Sequence, residues 1–176
     1  MVPDGQVLTF VKTNPTSAYD IWLLSNEDDG TPSPFLATSF NENSAMFSPN
    51  GRWLAHDSDE TGRVEVYVQP YPGPGARVQV STGGGVRPVW SRDGRELFYR
   101  DGDQMMTVSV ATSTAGSTFT AGKPRLLFEG RYAPYFDVSL DGQQFLMIRE
   151  ESAGTSELHI VLDWFEELKR LVPTDN

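Results

Sequence analysis

Phe47-Ser48-Pro49-Asn50-Gly51-Arg52-Trp53-Leu54-Ala55-His56 decides the fold, because the pattern returns along the chain. Trp90-Ser91-Arg92-Asp93-Gly94 is followed by Arg95-Glu96-Leu97-Phe98-Tyr99, and Val138-Ser139-Leu140-Asp141-Gly142 by Gln143-Gln144-Phe145-Leu146-Met147. Pro3-Asp4-Gly5, followed by Gln6-Val7-Leu8-Thr9-Phe10, reads as the tail of a fourth copy. The turn glycines Gly5, Gly51, Gly94 and Gly142 are spaced by 46, 43 and 48 residues. A fixed period of this size is the signature of a repeat architecture, and its length suits a propeller blade. In each copy an extended segment runs into an Asn/Asp-Gly corner, where glycine supplies the positive φ that a tight hairpin needs.

The remaining strands follow from local pattern. The apolar run after each corner is a second strand, and a third alternates with period two in Val64-Glu65-Val66-Tyr67-Val68 and Met106-Thr107-Val108-Ser109-Val110. A fourth is expected at Pro34-Phe35-Leu36, Ala76–Val80 and Pro124–Phe128, after connections such as Pro72-Gly73-Pro74-Gly75. The expectation is an all-β protein, a β-propeller of about four blades, with repeats near 1–40, 41–83, 84–130 and 131–163. Met1-Val2 stands where Phe47-Ser48 stands in the next copy, so the first blade is expected to lack its innermost strand. The last copy runs through Leu158–Leu162 and leaves the pattern. Asp163 with Glu166, the apolar side chains Trp164, Phe165, Leu168 and Leu171, and Lys169-Arg170 predict a short helix over 163–172. Its expected role is a lid on the last blade, with Trp164, Phe165 and Leu168 as interaction candidates.

The aromatic-Ser-Pro-Asn/Asp-Gly-Arg-x-Leu-Ala pattern resembles the WD-like repeat of TolB-type propellers over nearly the whole chain. Trp90–Tyr99 and the closing Trp164–Pro173 resemble the C-terminal propeller of some bacterial serine/threonine protein kinases. That resemblance implies a sensory or interaction region beside an upstream kinase domain. The kinase motifs themselves, a Gly-x-Gly-x-x-Gly loop, His-Arg-Asp and Asp-Phe-Gly, do not occur in this sequence.

Composition narrows the functions available. Fourteen Lys and Arg face 24 Asp and Glu, a formal charge of -10, which disfavours nucleic acid and anionic membranes as partners. No cysteine is present, so thiolate metal sites, disulfides and cysteine nucleophiles are excluded. The N-terminal residues lack a basic segment followed by an apolar one, and no apolar run reaches the roughly 20 residues of a membrane span, so the chain reads as untargeted and cytoplasmic, although related propellers can be periplasmic.

No coherent catalytic set emerges. His56 and His159 lie on expected strands, without a Gly-x-Ser-x-Gly elbow or a zinc-ligand spacing, and read as structural. Asp57, Asp59 and Thr61 match the early ligands of a calcium loop, but Val68 stands where the bidentate Glu belongs. Asp57–Gly62 is therefore expected to be a hydrated hairpin loop. Ser81-Thr82-Gly83-Gly84-Gly85 lacks the Lys of a phosphate loop and precedes a strand, so it reads as a blade-to-blade linker. Tyr71, Trp90, Tyr99, Tyr132 and Tyr135 are candidates for a ligand-binding aromatic surface or for wedges between blades. The expected function is a non-catalytic scaffold or protein-interaction module without cofactor, two copies of which close one ring of about eight blades, with closure of four blades in a single chain as the runner-up. The rival expectations are a regulatory propeller cut from a kinase or prolyl-oligopeptidase-type hydrolase, and a small-ligand or glycan sensor.

Overall fold

The repeat corners fold as their sequence demands. Gly5, Gly51, Gly94 and Gly142 all take positive φ, between 68° and 76°, where an L side chain would be strained. At three of these corners the glycine N–H donates to the carbonyl of the Ser three residues earlier, from Gly51 to Ser48 (2.9 Å), Gly94 to Ser91 (3.0 Å) and Gly142 to Ser139 (2.9 Å). The serine hydroxyl then donates to the turn carboxyl or amide oxygen, Ser48 to Asn50 (2.8 Å) and Ser91 to Asp93 (2.7 Å). Each corner is a locally satisfied unit, so it recurs wherever the sequence does.

The computed structural model describes residues 5–15, 18–26, 30–113 and 118–149. These hold fourteen strands in four antiparallel sheets and no helix. The first sheet is β1 (Val7–Asn14), β2 (Ala18–Ser25) and β3 (Ser33–Leu36), in that order. The second is a four-stranded meander of β4 (Glu42–Phe47), β5 (Trp53–Ser58), β6 (Glu65–Pro70) and β7 (Val78–Gln79). The third comprises β8 (Val86–Trp90), β9 (Glu96–Asp101), β10 (Gln104–Thr112), β11 (Phe119–Ala121) and β12 (Arg125–Glu129), where the long β10 pairs with both β11 and β12 along its outer edge. The fourth sheet shows β13 (Tyr132–Val138) and β14 (Phe145–Arg149). The expected segments Leu158–Leu162 and 163–172, with Trp164, Phe165 and Leu168, lie outside the described residues.

The sheets pack face to face, and the packing departs from simple alternation. Trp53, Ala55, Val66, Val68 and Val80 of the second sheet interlock with Trp90, Leu97, Tyr99, Val108, Val110 and Phe119 of the third. A smaller cluster joins the first sheet to the second through Ile21, Phe47 and Leu54. Phe145 meets Phe98 at 5.1 Å and Phe128 at 5.5 Å, joining the third sheet to the fourth. All of β5 is buried, and so are both rows of β6 from Glu65 to Val68, because the second sheet is covered on both faces. Asp57 and Ser58 are thus interior strand residues, not the hydrated loop that the sequence suggested.

Leu97, fully buried between the second and third sheets, should show this packing directly. Leu97→Ala is expected to destabilise by about 2–5 kcal/mol in urea titrations monitored by tryptophan fluorescence. Leu127→Ala, at a position 39% exposed, should change stability by well under 1 kcal/mol or so.

Candidate interaction surfaces

Aligning the four repeats on their turn glycines places three positions of the second strand in register. Leu8, Leu54, Leu97 and Phe145 are equivalent, as are Thr9, Ala55, Phe98 and Leu146; Val11, Asp57, Arg100 and Ile148 form a third row. The first row faces the preceding sheet and the other two face the following one, as the clusters around Leu54, Leu97 and Ala55 show. Leu54 and Leu97 are fully buried, but Leu8, which has no described sheet before it, is 41% exposed. Ala55 and Phe98 are buried, whereas Leu146 is 76% and Ile148 57% exposed. Among the described residues, register positions that are buried in the two middle sheets are therefore exposed at the two ends of the array, although Val11, which faces the second sheet, is itself 37% exposed.

The polar groups in the seams are arranged differently from seam to seam. The Asp57 carboxylate accepts the Arg87 backbone N–H of the next sheet at 2.9 Å, which ties β5 to β8. Burial raises the Asp57 pKa, partly offset by the Arg87 N–H and by Ser44. At the equivalent place in the next repeat, Arg100 reaches forward and donates to the carbonyl oxygens of Gly102 (2.9 Å) and Gly130 (3.2 Å). Its Nε and Nη1 have no hydrogen-bond partner, and desolvation lowers its pKa. Sequence reading missed Arg100, since nothing local distinguishes a buried arginine from an exposed one.

The other candidates resolve one by one. Asp59 turns away from Asp57 to accept the Asn41 backbone N–H at 2.9 Å, while the Thr61 hydroxyl donates to the Arg63 carbonyl at 3.3 Å. Asp57, Asp59 and Thr61 thus point to different partners, and no group of three or more potential metal ligands occurs among the described residues. The glycine-rich Ser81–Gly85 linker already encloses an anion of the chain's own, since the buried Glu65 carboxylate accepts from the Ser81 hydroxyl and from the Gly84 N–H at 3.1 Å. Trp90 and Tyr99 are wedges between sheets, and Tyr71 packs on Phe47 (4.8 Å) and Phe35 (5.8 Å). Tyr132 sits edge-on to Phe128 at 6.5 Å. Tyr135 alone of the five is largely exposed, with the Arg87 guanidinium over its ring. Two open grooves of about 640 and 210 Å³ run along the turn side and share Asp93, Gly94 and Thr112. Their turn side chains are already bonded to one another, so few donors converge there.

His56 is fully buried, stacks on Tyr67 at 5.7 Å and approaches the Asp57 carbonyl at 3.5 Å. His159 lies outside the described residues. Nearby, the buried Glu42 is bonded to Thr38 and has its pKa raised, chiefly by desolvation.

No family model matches the chain, and no curated protein matches it. Solved structures do. TolB from Acinetobacter baumannii superposes with a TM-score of 0.62 at 16% identity, covering 86% of this chain and 37% of that one. A putative TolB from Agrobacterium tumefaciens gives 0.52 at 17%, over 71% and 48% of the respective chains. A putative 6-phosphogluconolactonase from Bacteroides uniformis gives 0.54 at 17%, over 84% and 45%. The chain spans less than half the length of each of these proteins.

Two measurements follow from this geometry. Burial lowers the His56 pKa to about 4 from 6.5, with Arg77 reinforcing the effect and the Asp57 carbonyl opposing it. Between those values the unfolded chain takes up a proton that the folded chain refuses, so this contribution to stability is intact above pH 6.5 and lost as pH falls toward 4. Glu42 and Asp57, with raised pKa values, act in the opposite sense, so the comparison must be with a variant. His56→Gln is expected to lessen the loss between pH 7.5 and 4.5 by about 2–3 kcal/mol in urea titrations. Separately, 5 mM calcium, roughly the weak end of such loops, should leave the melting temperature of the wild type and of Asp57→Asn unmoved by it; a shift of several degrees in wild type alone would show a calcium site there. The strand order and the likeness to TolB structures together show one thing about identity: this chain has the TolB-like propeller fold.

Proposed function

We propose that the chain is a non-catalytic propeller module that works by protein contact, and that a second copy of itself completes the ring. One observation carries this reading: positions buried in the two middle sheets, Leu54 and Leu97 in one row and Ala55 and Phe98 in another, are exposed at the ends of the described array, as Leu8 on the first sheet and Leu146 on the fourth. A blade sheet with an uncovered apolar face gains most from another blade of the same kind, since the register already matches side chain to side chain. Joining the last sheet of one copy to the first sheet of another, twice, gives a two-fold ring of about eight blades. The non-catalytic part rests on the sequence, which offers no nucleophile, base and orienting group in one pattern.

A second reading has its own support. The chain spans under half of the TolB chains that it superposes on, so the same end faces suit further blades of a longer polypeptide. In that form the module would be the regulatory propeller of a kinase or hydrolase, as the likeness of Trp90–Tyr99 to kinase-linked propellers suggests.

Light scattering across a hundredfold concentration range is expected to report about twice the 19.5 kDa chain mass. Leu146→Asp and Ile148→Asp, which change exposed positions, should yield a folded single-chain species. A single-chain mass for the wild type at every concentration would remove the two-copy ring and leave a four-bladed single chain or the longer-polypeptide reading.

A further inference from the structure

The inner edge of the array carries a second repeated device. Ser44, Arg87 and Tyr135 each stand seven residues before their turn glycine, on the first strands β4, β8 and β13. All three strands slip register there, between Asn43 and Met46, Val86 and Val89, and Tyr132 and Phe136. Such bulges bend a strand and re-aim one side chain. Ser44 and Arg87 take φ of 54° and 58°, a left-handed conformation uncommon for residues other than glycine. In both, a side-chain oxygen accepts the N–H, from Asn43 at Ser44 (2.8 Å) and from Asp57 at Arg87 (2.9 Å).

The backbone device recurs, but the chemistry at its tip does not. At the turns the repeats keep Ser48, Ser91 and Ser139, and they keep Asn50, Asp93 and Asp141, because those groups hold the corner. At the bulge they present a hydroxyl, a guanidinium and a phenol in turn. A position whose backbone is held while its side chain changes is suited to reading a ligand more than to holding the fold.

Arg87 makes the site specific. Its guanidinium lies 3.9 Å from the centroid of the Tyr135 ring, and among the described residues no carboxylate forms a salt bridge with it. The Arg87 charge acts on Asp57, but that carboxylate is buried and its hydrogen bonds come from the Arg87 backbone N–H and from Ser44. A guanidinium seated over an aromatic face gains from the ring without using its N–H donors in a hydrogen bond, and those donors match a carboxylate in a two-point fork. The ring beneath is 55% exposed, which leaves apolar surface for whatever the carboxylate is attached to.

We propose that Arg87 and Tyr135 form a binding site for a carboxylate borne on an apolar or aromatic group. The guanidinium edge receives the carboxylate, and the open part of the Tyr135 ring receives the group beside it. Both a free organic acid and the C-terminal carboxylate of a peptide carry this chemistry. The site is independent of ring closure, since its residues lie on the third and fourth sheets of one chain.

The test is an NMR titration of the arginine side-chain N–H signals of the whole chain. The probes are benzoate, benzamide, and the peptide acetyl-Gly-Gly-Phe as free acid and as amide. One arginine signal, absent from Arg87→Gln, is expected to shift saturably with the acids and not with the amides. Tighter binding of the peptide acid than of benzoate assigns the site to peptide termini, and the reverse order assigns it to small acids. Arg87→Gln should weaken the acids by roughly tenfold or more. Tyr135→Leu, at an exposed position, should weaken them about threefold and keeps the test decisive if Arg87→Gln fails to fold. Absence of a saturable shift, equal shifts with acids and amides, or unchanged affinity in a folded variant overturns the proposal.

Discussion

Every sheet of this protein has two faces to cover, and the meeting of one sheet's apolar face with the next is the constraint on which the rest depends. A sheet in a sandwich can leave one face to water, but a blade in the middle of the array cannot. The second and third sheets show the result, with Trp53, Val66 and Val68 locked against Trp90, Leu97 and Phe119. Burying a side chain of this size is worth roughly 1.5–3 kcal/mol, so a seam of several such residues outweighs any single turn or hydrogen bond. The Trp90 Nε1–H adds direction by donating to the Met46 carbonyl at 3.1 Å, which fixes how the two innermost strands sit together.

Burying both faces also drags polar groups inside, and each must find a partner. At one register position Asp57 accepts an N–H from the following sheet, whereas Arg100 donates to carbonyls ahead of it. The two residues carry opposite charges, and where Asp57 reaches the next sheet, Arg100 ties its own hairpin turn at Gly102 to the connection at Gly130. The peptide unit offers both a donor and an acceptor, so either sign can be satisfied. The cost differs. Asp57 is engaged by two groups, while Arg100 keeps unpartnered nitrogens in the interior, where desolvation works against its charge. Glu65 solves the same problem inside the glycine-rich linker, where the Gly84 N–H donates to it, and the left-handed backbone at Gly84 leaves no room for a Cβ beside the Asp101 carboxylate.

This division of labour bears on function. Turns and seams hold the repeats together, which leaves the end faces and the inner edge as the places where side chains are not already committed. The end faces are apolar and extended, suited to another sheet. The inner edge is small and charged, suited to a ligand with one anionic group. The fold itself carries no chemistry, so a function has to be sought on surfaces such as these.

The period, the four corners and nearly every strand were legible in the residues themselves. An Asn-Gly or Asp-Gly corner and the run that follows it are held by contacts within about ten residues, and such information survives in a linear string. The exposed ends were also foreshadowed, since Leu146 and Leu8 could be aligned with their buried counterparts. What the string could not show is which polar residues lie inside. Asp57 reads as part of a calcium-like loop, yet its partner is Arg87, thirty residues away on another sheet. The left-handed backbone at Arg87 and the stacking of its side chain on Tyr135 are likewise set by neighbouring strands. Local order came from short-range hydrogen bonding and turn sterics, whereas burial and pairing were decided only when separate sheets met, because no residue carries a record of the face that will cover it.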